Sequence, residues 1–296
     1  MTVLVIGEAL VDVVTRPGQD PEPHAGGSPF NVAIGLSRLD VPTVLAAQIG
    51  GDRHGDGLRW ALDDSHVTLA ALSPVPDHTS TANATLGEDG SASYEFDLTW
   101  DPDGLPDPSA FDAVHVGSLG TALQPGAKLV AGLVTGADAL GVPVSYDPNI
   151  RLTVEPDPQV WRAVFDAIAP HATILKMSDE DADTLFPGEA PPDLARRLAT
   201  DHGIVAITCG SQGSLIAAGT AFASVPPADV RVVDTIGAGD SFMAAMLSWC
   251  AMYDWPSADE LDDTELTDLG LYASSAAAIT CSRPGADPPW TAELTP

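Results

Sequence analysis

Short runs rich in β-branched residues alternate with longer segments of helical period along this chain, the pattern of a parallel sheet flanked by helices. The strand segments are Val3 to Ile6, Val44 to Ile49, Ala113 to Val116, Val142 to Asp147, Thr173 to Lys176 and Val205 to Thr208. Helical segments run from Pro29 to Leu39, Pro125 to Leu140, Gln159 to Ala169, Asp193 to His202, Gly239 to Met252 and Glu265 to Cys281. Pro29 suits a first helical turn, where its missing N–H removes nothing needed. With 296 residues, 45% of them apolar, the chain has material for one continuous core, so one α/β domain over residues 1–296 is expected.

One stretch breaks the alternation. Thr79 to Leu86 and Ser91 to Leu98 alternate polar and apolar residues around Glu88-Asp89-Gly90, and Asp-Gly is a favoured two-residue hairpin turn. With the strand-like Leu10 to Thr15 this hairpin builds a small projecting sheet, a lid formed from about residues 10–25 and 79–100. A surface hairpin with no such duty has the same pattern.

The charge balance limits the partners. There are 42 acidic residues against 12 basic ones, and Lys128 and Lys176 are the only lysines. A surface of that sign repels phosphate backbones and anionic lipid, so neither nucleic acid nor membrane is an expected partner. A bound nucleotide would need a local site that opposes the global field, and backbone amides and Mg²⁺ serve that purpose. Cys209, Cys250 and Cys281 form no C-x-x-C spacing, which points to reduced thiols in a cytoplasmic protein. No apolar run reaches the roughly 18 residues that span a bilayer.

The chemistry concentrates in Val233-Asp-Thr-Ile-Gly-Ala-Gly-Asp-Ser-Phe-Met-Ala-Ala-Met-Leu247. Small residues at Gly237, Ala238 and Gly239 let the backbone approach a ligand, and a helix begins there. Its free N–H groups make an anion hole suited to a developing phosphate charge. Asp240 lies in the first turn of that helix, where it would accept a proton from a hydroxyl attacking a phosphoryl group. An ordinary helix cap is the competing reading, and spacing alone leaves both open.

Asp234-Thr-Ile-Gly-Ala-Gly-Asp240 with Ala244-Ala245, and Gly26-Gly27-Ser-Pro-Phe-Asn31-Val-Ala33 closed by Gly50-Gly51-Asp52, resemble the two signatures of the ribokinase-like (PfkB) carbohydrate kinases, most of all the fructokinases. Asp40 departs from that pattern, where a small residue is usual. The resemblance implies a ribokinase-like three-layer sandwich, α/β in class, with a central mostly parallel sheet flanked by helices and a small β-sheet lid. It implies ATP and Mg²⁺ as cofactors, a potassium dependence, a sugar as acceptor, and a homodimer formed through the lid.

Residue by residue, the resemblance makes Asp240 the base, assisted by Gly237, Ala238, Gly239 and Arg151. Asp12, Gly26, Gly27 and Asn31 would bind sugar hydroxyls together with Asp240. Arg151 ends the run Asp147-Pro-Asn-Ile-Arg151 and its fork of donors suits a phosphate or a carboxylate. On the nucleotide side it implies Thr208, Gly210, Ser211 and Gly213, with Lys176, Ser178 and Ala276. Asp181, in place of the usual Glu, would hold Mg²⁺ through water, and the loops at Thr235 and Gly285 would hold a monovalent cation. Fructokinase is the first expectation, 2-keto-3-deoxygluconate kinase, ribokinase or nucleoside kinase the alternatives, and a sensor without turnover the non-enzyme rival. No G-x-x-x-x-G-K-[ST], G-x-G-x-x-G after the first strand, H-E-x-x-H or G-x-S-x-G occurs, which removes P-loop, dinucleotide, zinc-hydrolase and serine-hydrolase readings.

Overall fold

The computed structural model describes residues 1–15, 20–86 and 92–294. In chain order the elements are β1 (Val3–Ile6), β2 (Leu10–Thr15), β3 (Glu22–Gly26), α1 (Ser28–Arg38), β4 (Thr43–Ala47), α2 (Arg53–Asp64), β5 (Thr68–Ala71), β6 (Thr81–Leu86) and β7 (Ala92–Asp97). There follow β8 (Ala113–Gly117), α3 (Ser118–Ala122), α4 (Gly126–Ala139), β9 (Val144–Asp147), α5 (Pro158–Ile168), β10 (Ile174–Ser178), α6 (Asp179–Leu185), α7 (Pro191–Ala199) and β11 (Ile204–Thr208). The last are β12 (Ser214–Ala218), β13 (Ala221–Val225), α8 (Ala238–Met252), α9 (Asp263–Cys281) and α10 (Thr291–Leu294).

The main sheet runs β13-β12-β11-β10-β9-β8-β1-β4-β5, parallel from β11 to β5 and antiparallel at the β12 and β13 edge. Side chains alternate across it, as the pleat requires. Val3 and Val5 point into a core built with α1, α2, α8 and α9, whereas Leu4 and Ile6 point into a core built with α4 to α7. Both faces are covered, which is why these strands read as continuous apolar runs.

Sheet order and chain order together locate a cleft. From β1 the chain steps outward to β4 and β5, then returns on the other side of β1 to β8, β9 and β10. The direction of winding therefore reverses between β1 and β8, and ligands of open α/β sheets bind beyond the carboxyl ends of the strands at such a point. A second sheet, ordered β3-β2-β6-β7, rises there. Its β6 and β7 are the expected antiparallel pair, and the Glu88-Asp89-Gly90 turn lies outside the described residues.

Several elements differ from the sequence expectation, beginning with α2, α3, α6 and β5, which form where no helix or strand was marked. β12 and β13 form a hairpin where no strands were expected, β3 pairs with β2 although it contains Pro23, and a short helix, α10, closes the described chain. Asp40, the departure from the glycine pattern, follows α1 with φ 61°. That is the left-handed position glycine commonly fills after a helix, and Asp is among the few other residues that tolerate it.

Helices α1 and α8 run side by side in the same direction. A Cβ on Gly35 would sit 2.7 Å from the Cβ of Ala244, and Ser248 Oγ donates to the Leu39 carbonyl at 3.4 Å. The contact thus follows an i, i+4 row on each helix. Replacing Gly35 by valine forces this seam apart, and urea unfolding should show a loss of about 1–3 kcal/mol, the usual cost of overpacking.

Candidate active site

The two helices bring together the two signatures. Asp240, in the first turn of α8, is buried and accepts from Ser28 Oγ at 2.7 Å and from Asn31 Nδ2 at 2.8 Å. Ser28 and Asn31 open α1, whose N-cap is Gly27. Neither α1 nor α8 has a side-chain cap, whereas α2, α5, α6 and α9 are capped by Asp52, Asp157, Ser178 and Asp262. The first N–H groups of α1 and α8 are thus left for other partners. In α8, Ala238 N–H goes to the Thr235 carbonyl and Ser241 N–H closes the first turn on Gly237, so those of Gly239 and Asp240 have no intrahelical acceptor. Gly237 holds the turn open with φ 74°, and a Cβ there would meet Ala286.

On one side of this helix start lies the small sheet. Asp12 on β2 stands opposite His24 on β3, and its carboxylate leans over Gly26, where a Cβ would collide with Oδ2. Burial raises the Asp12 carboxyl above its ordinary value, against the pull of His24 and Arg151. Arg151 is exposed, and its charge is felt by Asp12 and by Glu8.

Glu8, which sequence reasoning passed over, follows β1 at the switch point. It is buried and its Oε2 accepts the Gly120 N–H at 2.8 Å. Burial pushes its carboxyl up to about 7, opposed by hydrogen bonds from its own backbone, Ser118 and Gly120 and by Arg151.

On the other side of the helix start is a cavity of about 620 Å³, within the range of small-molecule sites. Thr208, Gly210, Ser211 and Gly213 wall it from the β11–β12 turn, and Thr235, Ala238 and Gly239 form its inner end. Ala276, expected as a wall, is fully buried in the core instead. Ser274, Ala277, Ala278 and Cys281 of α9 line the cavity, with Phe242 and the 227–232 segment. α9 carries alanines on several faces, and only the packing decides which of them a cavity sees. Spacings of three and four residues from Ser274 to Cys281 are the one signal that marked this face in the sequence.

The remaining candidates lie around the same turn. Lys176 is buried and its Nζ donates to Asp147 Oδ2 at 2.8 Å. Ser178 caps α6 by accepting the Asp181 N–H at 3.0 Å. Both carboxylate oxygens of Asp181 accept backbone N–H groups, from Ile150 at 2.8 Å and from Ser178 at 3.0 Å. Asp181 therefore braces the segment that carries Arg151. Asp234 accepts from Ile236 N–H and from Gly285 N–H, which places the Thr235 and Gly285 loops side by side. Among the described residues no group of three or more His, Cys, Asp and Glu side chains could hold a metal ion, and no helix is long and apolar enough to cross a membrane.

A mostly parallel sheet between two helix layers, with a small sheet over a cleft at the switch point, defines the ribokinase-like class of α/β folds. The fructokinase of Xylella fastidiosa with bound ATP shares that fold, with a TM-score of 0.82 at 24% identity, covering 99% of this chain and 96% of that one. The chain belongs to the pfkB family of carbohydrate kinases, whose family model matches residues 2–293. Similar curated proteins include a probable fructokinase-4 of Arabidopsis thaliana, 30% identical over 97% of this chain and 92% of its own length. A fructokinase of Rhizobium leguminosarum bv. trifolii is 33% identical over 83% of this chain and 78% of its own. A double-mutant fructokinase of Vibrio cholerae O395, bound to fructose, ADP and potassium ion, matches with a TM-score of 0.79 at 25% identity, covering 96% of this chain and 93% of that one.

The raised Glu8 carboxyl has a measurable consequence. A carboxyl raised from 4.5 to about 7 contributes stability in its neutral form below about pH 4.5, and that contribution is lost as pH rises through about 7. Glutamine keeps an acceptor for Gly120 and never ionises. Glu8→Gln should therefore gain stability relative to the native chain between pH 5 and pH 8, by up to about 3 kcal/mol, in denaturant titrations. An equal difference at the two pH values would contradict the assignment.

Proposed function

We propose that this chain is an ATP-dependent fructokinase, with the sugar between the small sheet and Asp240 and the nucleotide in the 620 Å³ cavity. The observation that carries this reading is the position of Asp240: a buried carboxylate at an uncapped helix start, tied to the sugar-side signature through Ser28 and Asn31. The kinship with fructokinases that cover most of the chain favours fructose as the acceptor.

The cavity fits a nucleotide. Small side chains at Ser274, Ala277 and Ala278 leave a slot for a planar base, and the inner end opens on Gly239, where free N–H groups can take a phosphate. When bound, MgATP would supply the γ-phosphoryl group, and Mg²⁺ would neutralise charge on the phosphates. Everything else is work for the protein. Asp12 and Asn31 orient the sugar through fixed donor and acceptor directions. Ser28 and Asn31 hold Asp240 so that one oxygen can take the proton of the attacking hydroxyl. The N–H groups of Gly239 and Asp240 stabilise negative charge as it develops at the helix start, and the small sheet acts as a lid that excludes water. Asp181 acts by bracing the Arg151 segment and would hold Mg²⁺ through water. The Thr235 and Gly285 loops are the proposed place for potassium.

A carboxylated sugar is the second reading, because the charge of Arg151 reaches Glu8 and Asp12 from the sugar side. An ADP-release assay with MgATP, run with fructose, 2-keto-3-deoxygluconate, ribose and adenosine, with and without potassium, separates these acceptors. Fructose should give the highest kcat/KM, and potassium should raise it. Asp240→Asn should lower kcat by at least about 10²-fold while fructose and ATP still bind in calorimetry. Turnover within a few-fold of the native chain would remove Asp240 from the role of base.

A further inference from the structure

Lys176 is the one lysine in the interior, and the first turn of α8 lies against it. β10 carries it on the sheet face that packs under α8, and its Nζ is 3.1 Å from where a Cβ on Gly239 would sit. The ammonium thus lies beside the free N–H groups at the inner end of the nucleotide cavity. It has three donors, and one is taken by Asp147 Oδ2, at 2.8 Å on the neighbouring strand β9. Both side chains are almost fully shielded, at 5% and 1% exposure. Asp147 Oδ1 is buried with no hydrogen-bond partner among the described residues, so this carboxylate has no attachment to a side chain other than Lys176.

The charged groups that face Lys176 come from every element around it. Burial works against the ammonium. Asp147 on β9 first, then Asp181 on α6 and Asp240 on α8, outweigh burial and hold it above its ordinary value. Asp147 is itself pushed up to about 6 by burial, against the pull of Lys176. His115 on β8 is held down to about 3, by burial and then by Lys176, so it is neutral and adds no charge.

We propose that Asp147 is a positioning residue for phosphoryl transfer: by holding one donor of Lys176 from below, it turns the ammonium toward the start of α8, where a phosphate chain would lie. The inference rests on the nucleotide reading of the cavity. It adds to that reading a residue that touches no ligand and acts through Lys176. An isolated ion pair used only to fix the fold is the competing explanation, since buried pairs often contribute little net stability.

The composition supplies a clean probe, because Lys128, exposed on α4, is the only other lysine. Protein labelled with ¹³C at lysine Cε and ¹⁵N at Nζ gives two signals, and Lys128→Arg assigns them. Adding MgADP should shift the Lys176 signal and leave Lys128 in place. Asp147→Asn should lower the titration midpoint of Lys176 by at least about one pH unit and weaken MgADP about tenfold, with fructose affinity unchanged. Asp147→Glu should restore the midpoint. MgADP binding with no response at Lys176, or a midpoint unchanged in Asp147→Asn, overturns the proposal. If Asp147→Asn does not fold, Asp147→Ser takes its place with the same two readouts: a lowered Lys176 midpoint and weakened MgADP binding support the proposal, and the absence of both overturns it. If MgADP does not bind the native chain at all, the nucleotide reading falls and takes this inference with it.

Discussion

The packing of α1 against α8 is the constraint on which the site depends. Two helices laid side by side in the same direction bring their N-termini to one place, and each terminus carries partial positive charge and unspent N–H groups. A carboxylate between them is electrostatically suited to its position, and Asp240 occupies it with Ser28 and Asn31 as its donors. The approach is possible because Gly35 and Ala244 face each other along the seam. Fold and chemistry are therefore joined at a row of small residues one turn below the site. The α8 start walls the cavity, while the small sheet runs through Gly26 and Gly27 into the α1 start that holds Asp240.

Electrostatics explains why the site is built from backbone. The formal net charge is −30, a field that opposes any phosphate. Long basic side chains at the surface would be neutralised by so many neighbouring carboxylates. Helix N–H groups are fixed dipoles that no titration or ion pairing removes. The one ammonium close to the α8 start, beside Gly239, is buried and tied to Asp147, away from the surface charge. Arg151 is the exception, exposed and within electrostatic reach of Glu8 and Asp12, where a brace from the Ile150 N–H to Asp181 holds its segment.

Much of this was legible in the sequence. Period-two and period-3.6 patterning located β1, β2, α1 and α8 almost to the residue, because β1 is fully apolar, β2 is rich in valine, and α1 and α8 are long and open on glycine-rich starts. The glycine-rich starts of α1 and α8 marked both halves of the site. β12 and β13 were missed because they are short and rich in alanine, and β3 because Pro23 and Glu22 suit only an edge strand. Ser28 escaped because its partner Asp240 is 212 positions away, and Glu8 because a buried carboxyl is visible only once β1 and α3 meet. The alanines that line the cavity, Ala277 and Ala278, could not be told from their neighbours on α9, since small residues on several faces leave the helix rotation to tertiary packing.

A crystal structure with fructose and a non-hydrolysable ATP analogue bound together tests the central claim most directly. The account predicts one primary hydroxyl of the sugar within about 2.6–3.2 Å of an Asp240 oxygen, and the terminal phosphate against the N–H groups of Gly239 and Asp240. A sugar seated away from Asp240, or a phosphate chain that turns from the α8 start, would contradict it.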